Sequence, residues 1–96
     1  MKPYRRKLSA EDVETGSILI EKSWWKRFPP PLEEFGVRVS GQPFVTTIVA
    51  EDCDCIGEPH QHYHLEAGHF AHLLDFSRGA TVVIEPSPGA YMIANG

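Results

Sequence analysis

Residues 17–44, SILIEKSWWKRFPPPLEEFGVRVSGQPF, change character three times within one stretch. Ser17 to Ile20 is short, apolar and rich in β-branched side chains, which predicts a strand with Ile18 and Ile20 on one face. The next segment, KSWWKRF, has Ser23 as a helix cap and Trp24 and Phe28 four residues apart on one face. Pro29 biases Phe28 away from helical backbone, so the helix is limited to a single turn. After the proline run, EFGVRV reads as a strand, and SGQP supplies the glycine and proline of a tight turn into the next one. Strand, short aromatic helix, strand and turn in this order predict a mainly β protein carrying very short helices.

Working outward, the 96 residues hold 42% hydrophobic, 10% aromatic and 23% charged side chains, the balance of one globular domain with a modest core. MKPYRRKL, residues 1–8, is expected to be a mobile basic head. SAED at 9–12 fits a capping box and a brief helical turn. Downstream, PFVTTIVAE and HYHLE read as strands, AGHFAHLLDF as a short helix or turn, and TVVIEP as a strand ended by Pro86. Residues 86–96 are expected to be an edge strand or an ordered tail. The whole predicts a small open barrel, predominantly antiparallel, with two short helices.

CDCIGEPHQHYH, residues 53–64, gathers both cysteines and three of the five histidines. Strand alternation puts Cys53 and Cys55 on one face, and likewise His60, His62 and His64. With IGEP as the loop, Cys55 falls opposite His60, Cys53 opposite His62 and His64 opposite Glu51. Two thiolates and two imidazoles at close quarters are the donor set of a structural zinc, so Cys53, Cys55, His60 and His62 are the candidate ligands. A Cys-x-Cys pair is too close for an easy disulfide, which also favours metal over a bridge. His60, His62 and Glu66 make an H-x-H-x3-E run that resembles the first metal motif of cupins, which would imply a barrel holding Fe, Mn, Zn or Ni. The resemblance covers seven residues. No GxSxG, phosphate-binding glycine loop or HExxH is present, so an enzyme is not the expected class.

The net charge of −4 conceals an asymmetry. Through Arg27 there are seven Lys/Arg against four Asp/Glu, and beyond it two against nine. A basic end on an acidic body suits a polyanion partner. No stretch approaches a membrane span and the start lacks the apolar core of a secretory signal; a cytoplasmic address and no membrane partner are expected.

From residue 17 to about 85, the order of features resembles the B3 DNA-binding domain of plant transcription factors and of the recognition modules of some type II restriction enzymes. SILIEKSWWKRFPPPLEEFGVRVSGQPF carries the first part of the likeness and LEAGHFAHLLDFSRGATVVIE the second. The resemblance implies a seven-stranded open barrel with two short helices at its ends, gripping duplex DNA with two arms in the major groove. By position, the first arm would present Lys22, Ser23, Trp24, Lys26 and Arg27; the second would be the Cys/His hairpin, stiffened by zinc. Lys26 and Arg27 suit phosphates or guanine edges, Lys22 and Ser23 suit either, and Arg38 is a reserve candidate. The expected function is therefore a sequence-specific, monomeric double-stranded DNA-binding module with a zinc-stapled hairpin. A small cupin-like metalloprotein, catalytic or not, and a zinc-stabilised protein-interaction module are the alternatives.

Overall fold

The computed structural model describes residues 3–53 and 60–96. The chain begins with strand β1 (Tyr4–Lys7), where a mobile head was expected. The reason is burial: Tyr4 and Leu8 are each only 2% exposed, and alternation sends Arg5 and Lys7 outward while Tyr4 enters the core. Helix α1 (Ala10–Thr15) follows with the predicted capping box, Ser9 Oγ accepting from the Asp12 amide and the Asp12 carboxylate accepting from the Ser9 amide. Asp12 is buried and also accepts from the Arg6 guanidinium at 3.0 Å, which ties α1 back to β1. Gly16 ends the helix in left-handed backbone, φ +68, a position that favours glycine.

Strand β2 (Ser17–Ile20) buries Ile18 and Ile20 as predicted. A first 3-10 helix, Lys22–Arg27, stops at Phe28, whose extended backbone precedes Pro29. β3 (Phe35–Val39) and β4 (Gln42–Thr46) form a hairpin closed by Ser40 and Gly41, both at positive φ, the two-residue loop whose twist matches its strands. PFVTTIVAE, which reads as one strand, breaks at Thr47. There the chain leaves one sheet for the other: the Thr46 hydroxyl donates to the Glu66 carbonyl at 2.5 Å, and the Glu66 amide donates to the Thr47 carbonyl at 3.1 Å.

β5 (Ile48–Cys53), β6 (His60–Glu66), a second 3-10 helix (Ala71–Leu73), β7 (Thr81–Ser87) and β8 (Ala90–Asn95) complete the chain. One sheet runs β1-β7-β8-β3-β4 and the other β2-β6-β5; every pair is antiparallel except β3 with β8. The two sheets form an open pseudobarrel, mainly β, not the closed barrel that the cupin-like motif implies. The closing segment is no edge: β8 lies between β7 and β3, with Ile93 facing Ile84 on one side and Val39 on the other, all buried. Pro86 sits inside β7 because β1 reaches only to Ile84, so the missing N–H leaves no ladder bond open on that side.

Between the sheets lie Tyr4, Leu8, Ile18, Ile20, Val37, Val39, Ile48, Leu65, Phe70, Val82, Ile84 and Ile93. Tyr4 is the polar exception and joins the sheets: its hydroxyl donates to the Leu19 carbonyl at 2.6 Å and accepts from the Glu21 amide at 3.2 Å. Burial pushes the Tyr4 hydroxyl up to about 12, outweighing the Glu21 amide, which favours the phenolate. Since the unfolded chain ionises this group near 10, Tyr4's contribution to stability is complete below that pH and is lost as pH rises toward 12. Denaturant titrations at pH 8 and pH 11.5 should therefore show the protein weaker at the higher pH. Tyr4→Phe should cost about 1 kcal/mol at pH 8 through its lost hydrogen bonds, and show a smaller alkaline drop.

Candidate nucleic-acid interface

The first 3-10 helix has no strand partner, and side-chain rings hold it. With three residues per turn, positions i and i+3 eclipse. The sequence predicted a spacing of four from a Ser23 cap; instead the turn starts at Lys22 with Glu21 as an uncapped N-terminus. The tighter winding places the Arg27 guanidinium 5.0 Å from the Trp24 ring and the Lys22 ammonium 6.0 Å from the Trp25 ring. Trp24 and Phe28 still share a side: both rings pack on Tyr4, at 5.3 and 6.3 Å. Phe28 also stacks on Tyr91 at 5.2 Å, and the Tyr91 hydroxyl, raised by its own burial, donates to the Arg27 carbonyl at 2.7 Å.

Trp25 points the other way. Its indole N–H donates to the Ile20 carbonyl at 3.0 Å, and its ring lies 3.9 Å from Tyr63 of β6 at an interplanar angle of 9°. One stacked pair thus joins the base of the first arm to the base of the β5–β6 hairpin. Above it opens a groove of about 530 Å³, lined by Leu19, Ile20, Glu21, Lys22 and Trp25 on one side and by Gln61 and His62 on the other. Lys22, Ser23, Lys26 and Arg27 are exposed on this arm, whereas Trp24 is half-buried as packing. Arg38 is not brought to this groove: it stands on the outer face of the five-stranded sheet and lines a separate depression with Pro43 and Val45.

The hairpin differs from its predicted register by two residues. Cys53 pairs with His60, Glu51 with His62 and Val49 with His64. The core sets this: Ile48 lies opposite Leu65, both fully buried, where Ala50 was expected opposite Leu65. A shift of two keeps every side chain on its face and moves each partner by one rung. Cys55 and the loop 54–59 lie outside the described residues, as do the side chains of Cys53 and His60. Among the described residues, no group of three or more His, Cys, Asp or Glu is placed to hold a metal ion. His64, expected opposite Glu51, still meets it diagonally, Nε2 to carboxylate 3.7 Å.

Gln61 is a groove residue that sequence reasoning placed on the hairpin without assigning it a role. It shares a face with Tyr63 and Leu65, the signal that points it toward the first arm, and its amide N–H donates to Asp52 across the strand pair at 3.2 Å.

No family model matches this chain, and no curated protein matches it in sequence. Among solved structures it is similar to a chain of the Arabidopsis FUS3–DNA complex, with a TM-score of 0.72 over 96% of this chain and 93% of that one. The fold is B3-like. At 14% identity the likeness shows the B3-like architecture and leaves the interface to be argued from this chain's own residues.

Proposed function

We propose that this chain is a sequence-specific double-stranded DNA-binding module whose B3-like fold presents two arms to the major groove. The observation that carries the proposal is the groove between them, with exposed cations anchored on one arm and a hydrogen-bonding pair on the other. That the similar B3-like structure is a DNA complex supports the same reading. In it, Lys26 and Arg27 meet phosphates, which fix orientation and carry most of the salt-dependent affinity. Lys22, Ser23 and Gln61 face base edges; a glutamine reads adenine through paired hydrogen bonds, and Asp52 accepts from a cytosine amino group. Trp24 acts as the platform that holds Arg27 outward. Arg38 has no part in this grip, since it lines another surface.

A structural zinc on Cys53, Cys55, His60 and His62 belongs to the same proposal as a stiffener of the second arm. Its support is the donor set in the sequence and the pairing of Cys53 with His60 in the ladder.

Lys26→Ala plus Arg27→Ala should leave the fold intact, both residues being exposed, and lower the slope of log affinity against log salt by about 2 in a duplex-binding titration. Unchanged affinity and slope would remove the first arm from the interface. For zinc, the mass of the native protein should exceed that of the acid-denatured chain by one zinc ion, and Cys53→Ser should abolish the excess. A native mass equal to the bare chain would dismiss the staple and leave the DNA proposal standing.

A further inference from the structure

Among the described residues, the most exposed large apolar side chain lies in the turn between the first 3-10 helix and β3. Leu32 is 76% exposed and sits at φ +68, the third residue of a turn closed by the Glu33 amide donating to the Pro30 carbonyl. Glycine or asparagine fits that position without strain; a branched aliphatic side chain does not. The Leu32 amide donates to the Ile48 carbonyl at 2.8 Å, which fixes the turn and holds the side chain in solvent. Backbone strain held at an exposed apolar side chain marks this turn as a candidate contact surface. Glu33 and Glu34, both exposed, follow directly, so the tip is apolar and doubly negative.

A surface of the opposite kind lies on the outer face of the five-stranded sheet. A depression of about 480 Å³ runs over β3, β4 and the β7–β8 turn, floored at Gly36, with Pro43, Val45, Ala90 and Arg38 around it. Val45 is 56% exposed, and Met92, paired beside Arg38, is 43% exposed. Gly36 leaves the floor without a side chain; a Cβ there would fit at ordinary contact distance, 3.7 Å from the Gly89 carbonyl oxygen and 3.9 Å from the Ala90 Cβ, and would take up part of the depression. Among the described residues, Arg38 is the one charged side chain lining the depression, and no ion pair involves Arg38, Glu33 or Glu34. Among the described residues, β4 is also an edge of its sheet, with no further strand beside it.

We propose that this depression is the seat of the Leu32 tip of a second copy of the chain. Leu32 enters between Val45 and Ala90, and Glu33 and Glu34 meet Arg38. In this assembly a two-fold axis makes the contact reciprocal, each tip seated in the other copy's depression, which closes it as a dimer. None of the residues lining the depression lines the groove between the arms, so the dimer leaves that groove open and does not depend on the DNA proposal. It replaces the monomer expected from sequence.

Sedimentation equilibrium of the full chain without DNA tests this directly. A monomer–dimer equilibrium is expected. Arg38→Glu alone, and Glu33→Lys plus Glu34→Lys alone, should each raise the dimer dissociation constant about tenfold or more, and mixing these two proteins should restore dimers. Leu32→Gly relieves the turn, so it should weaken the dimer while its denaturation midpoint at high dilution holds or rises. Gly36→Leu, filling the floor, should be monomeric. A wild-type chain that stays monomeric into the millimolar range, open-ended growth, or charge variants that dimerise like the wild type would each overturn the proposal. So would a failure of the mixed charge variants to pair.

Discussion

The packing of the two tryptophans of one short helix, and of the Phe28 that ends it, onto rings of the barrel is the constraint on which the candidate interface depends. A six-residue 3-10 helix has little stability of its own, and this one lacks a capping side chain. It keeps its place because Trp24 and Phe28 lie on Tyr4, Phe28 on Tyr91, and Trp25 on Tyr63. Tyr4 itself is held by its hydroxyl at the junction of β2 and the helix. The strand that carries it therefore does more than close the sheet: it sets the floor on which the cations of the arm stand. The stack of Trp25 on Tyr63 then fixes the distance between this arm and the hairpin, and with it the width of the groove.

An acidic chain can still offer a positive surface, because exposed charges are screened beyond about 10 Å and a ligand senses local arrangement rather than the total. Here Lys22, Lys26 and Arg27 are all exposed on one short helix, while Arg6 is paired with Asp12 of α1. Glu33 and Glu34 belong to the turn that follows, and Arg38 to the outer sheet face. The winding of the 3-10 helix is part of the electrostatics: its repeat of three lays Arg27 on Trp24 and Lys22 near Trp25, which limits their freedom before any ligand arrives.

Local patterns in the sequence foretold what local physics decides. The Ser9–Asp12 box, the inward Ile18 and Ile20, the Ser40–Gly41 turn and the proline stop after Phe28 all follow from neighbours within a few residues. What sequence did not reveal depends on residues far apart. Tyr4 needed a partner eighty residues away in Ile84 to become a strand, and β8 became central through a parallel pairing with β3 that no periodicity announces. The hairpin register moved by two because Ile48 outcompeted Ala50 for the place opposite Leu65, a choice between two positions on the same face. Around the candidate interface, the short aromatic helix after β2 and a packing role for at least one of its tryptophans were legible from local spacing; the seat of Trp24 on Tyr4 and the separation of Arg38 were not, since both are set by tertiary packing.

The central claim is that nucleic acid enters between the aromatic-anchored arm and β6. An amide NMR titration of the labelled chain with a short random-sequence duplex at low salt tests it most directly. The account predicts shifts concentrated at Lys22–Arg27, Gln61 and His62, with the outer sheet face around Arg38 and Val45 unmoved. Shifts confined to that outer face, or none at all, would contradict it.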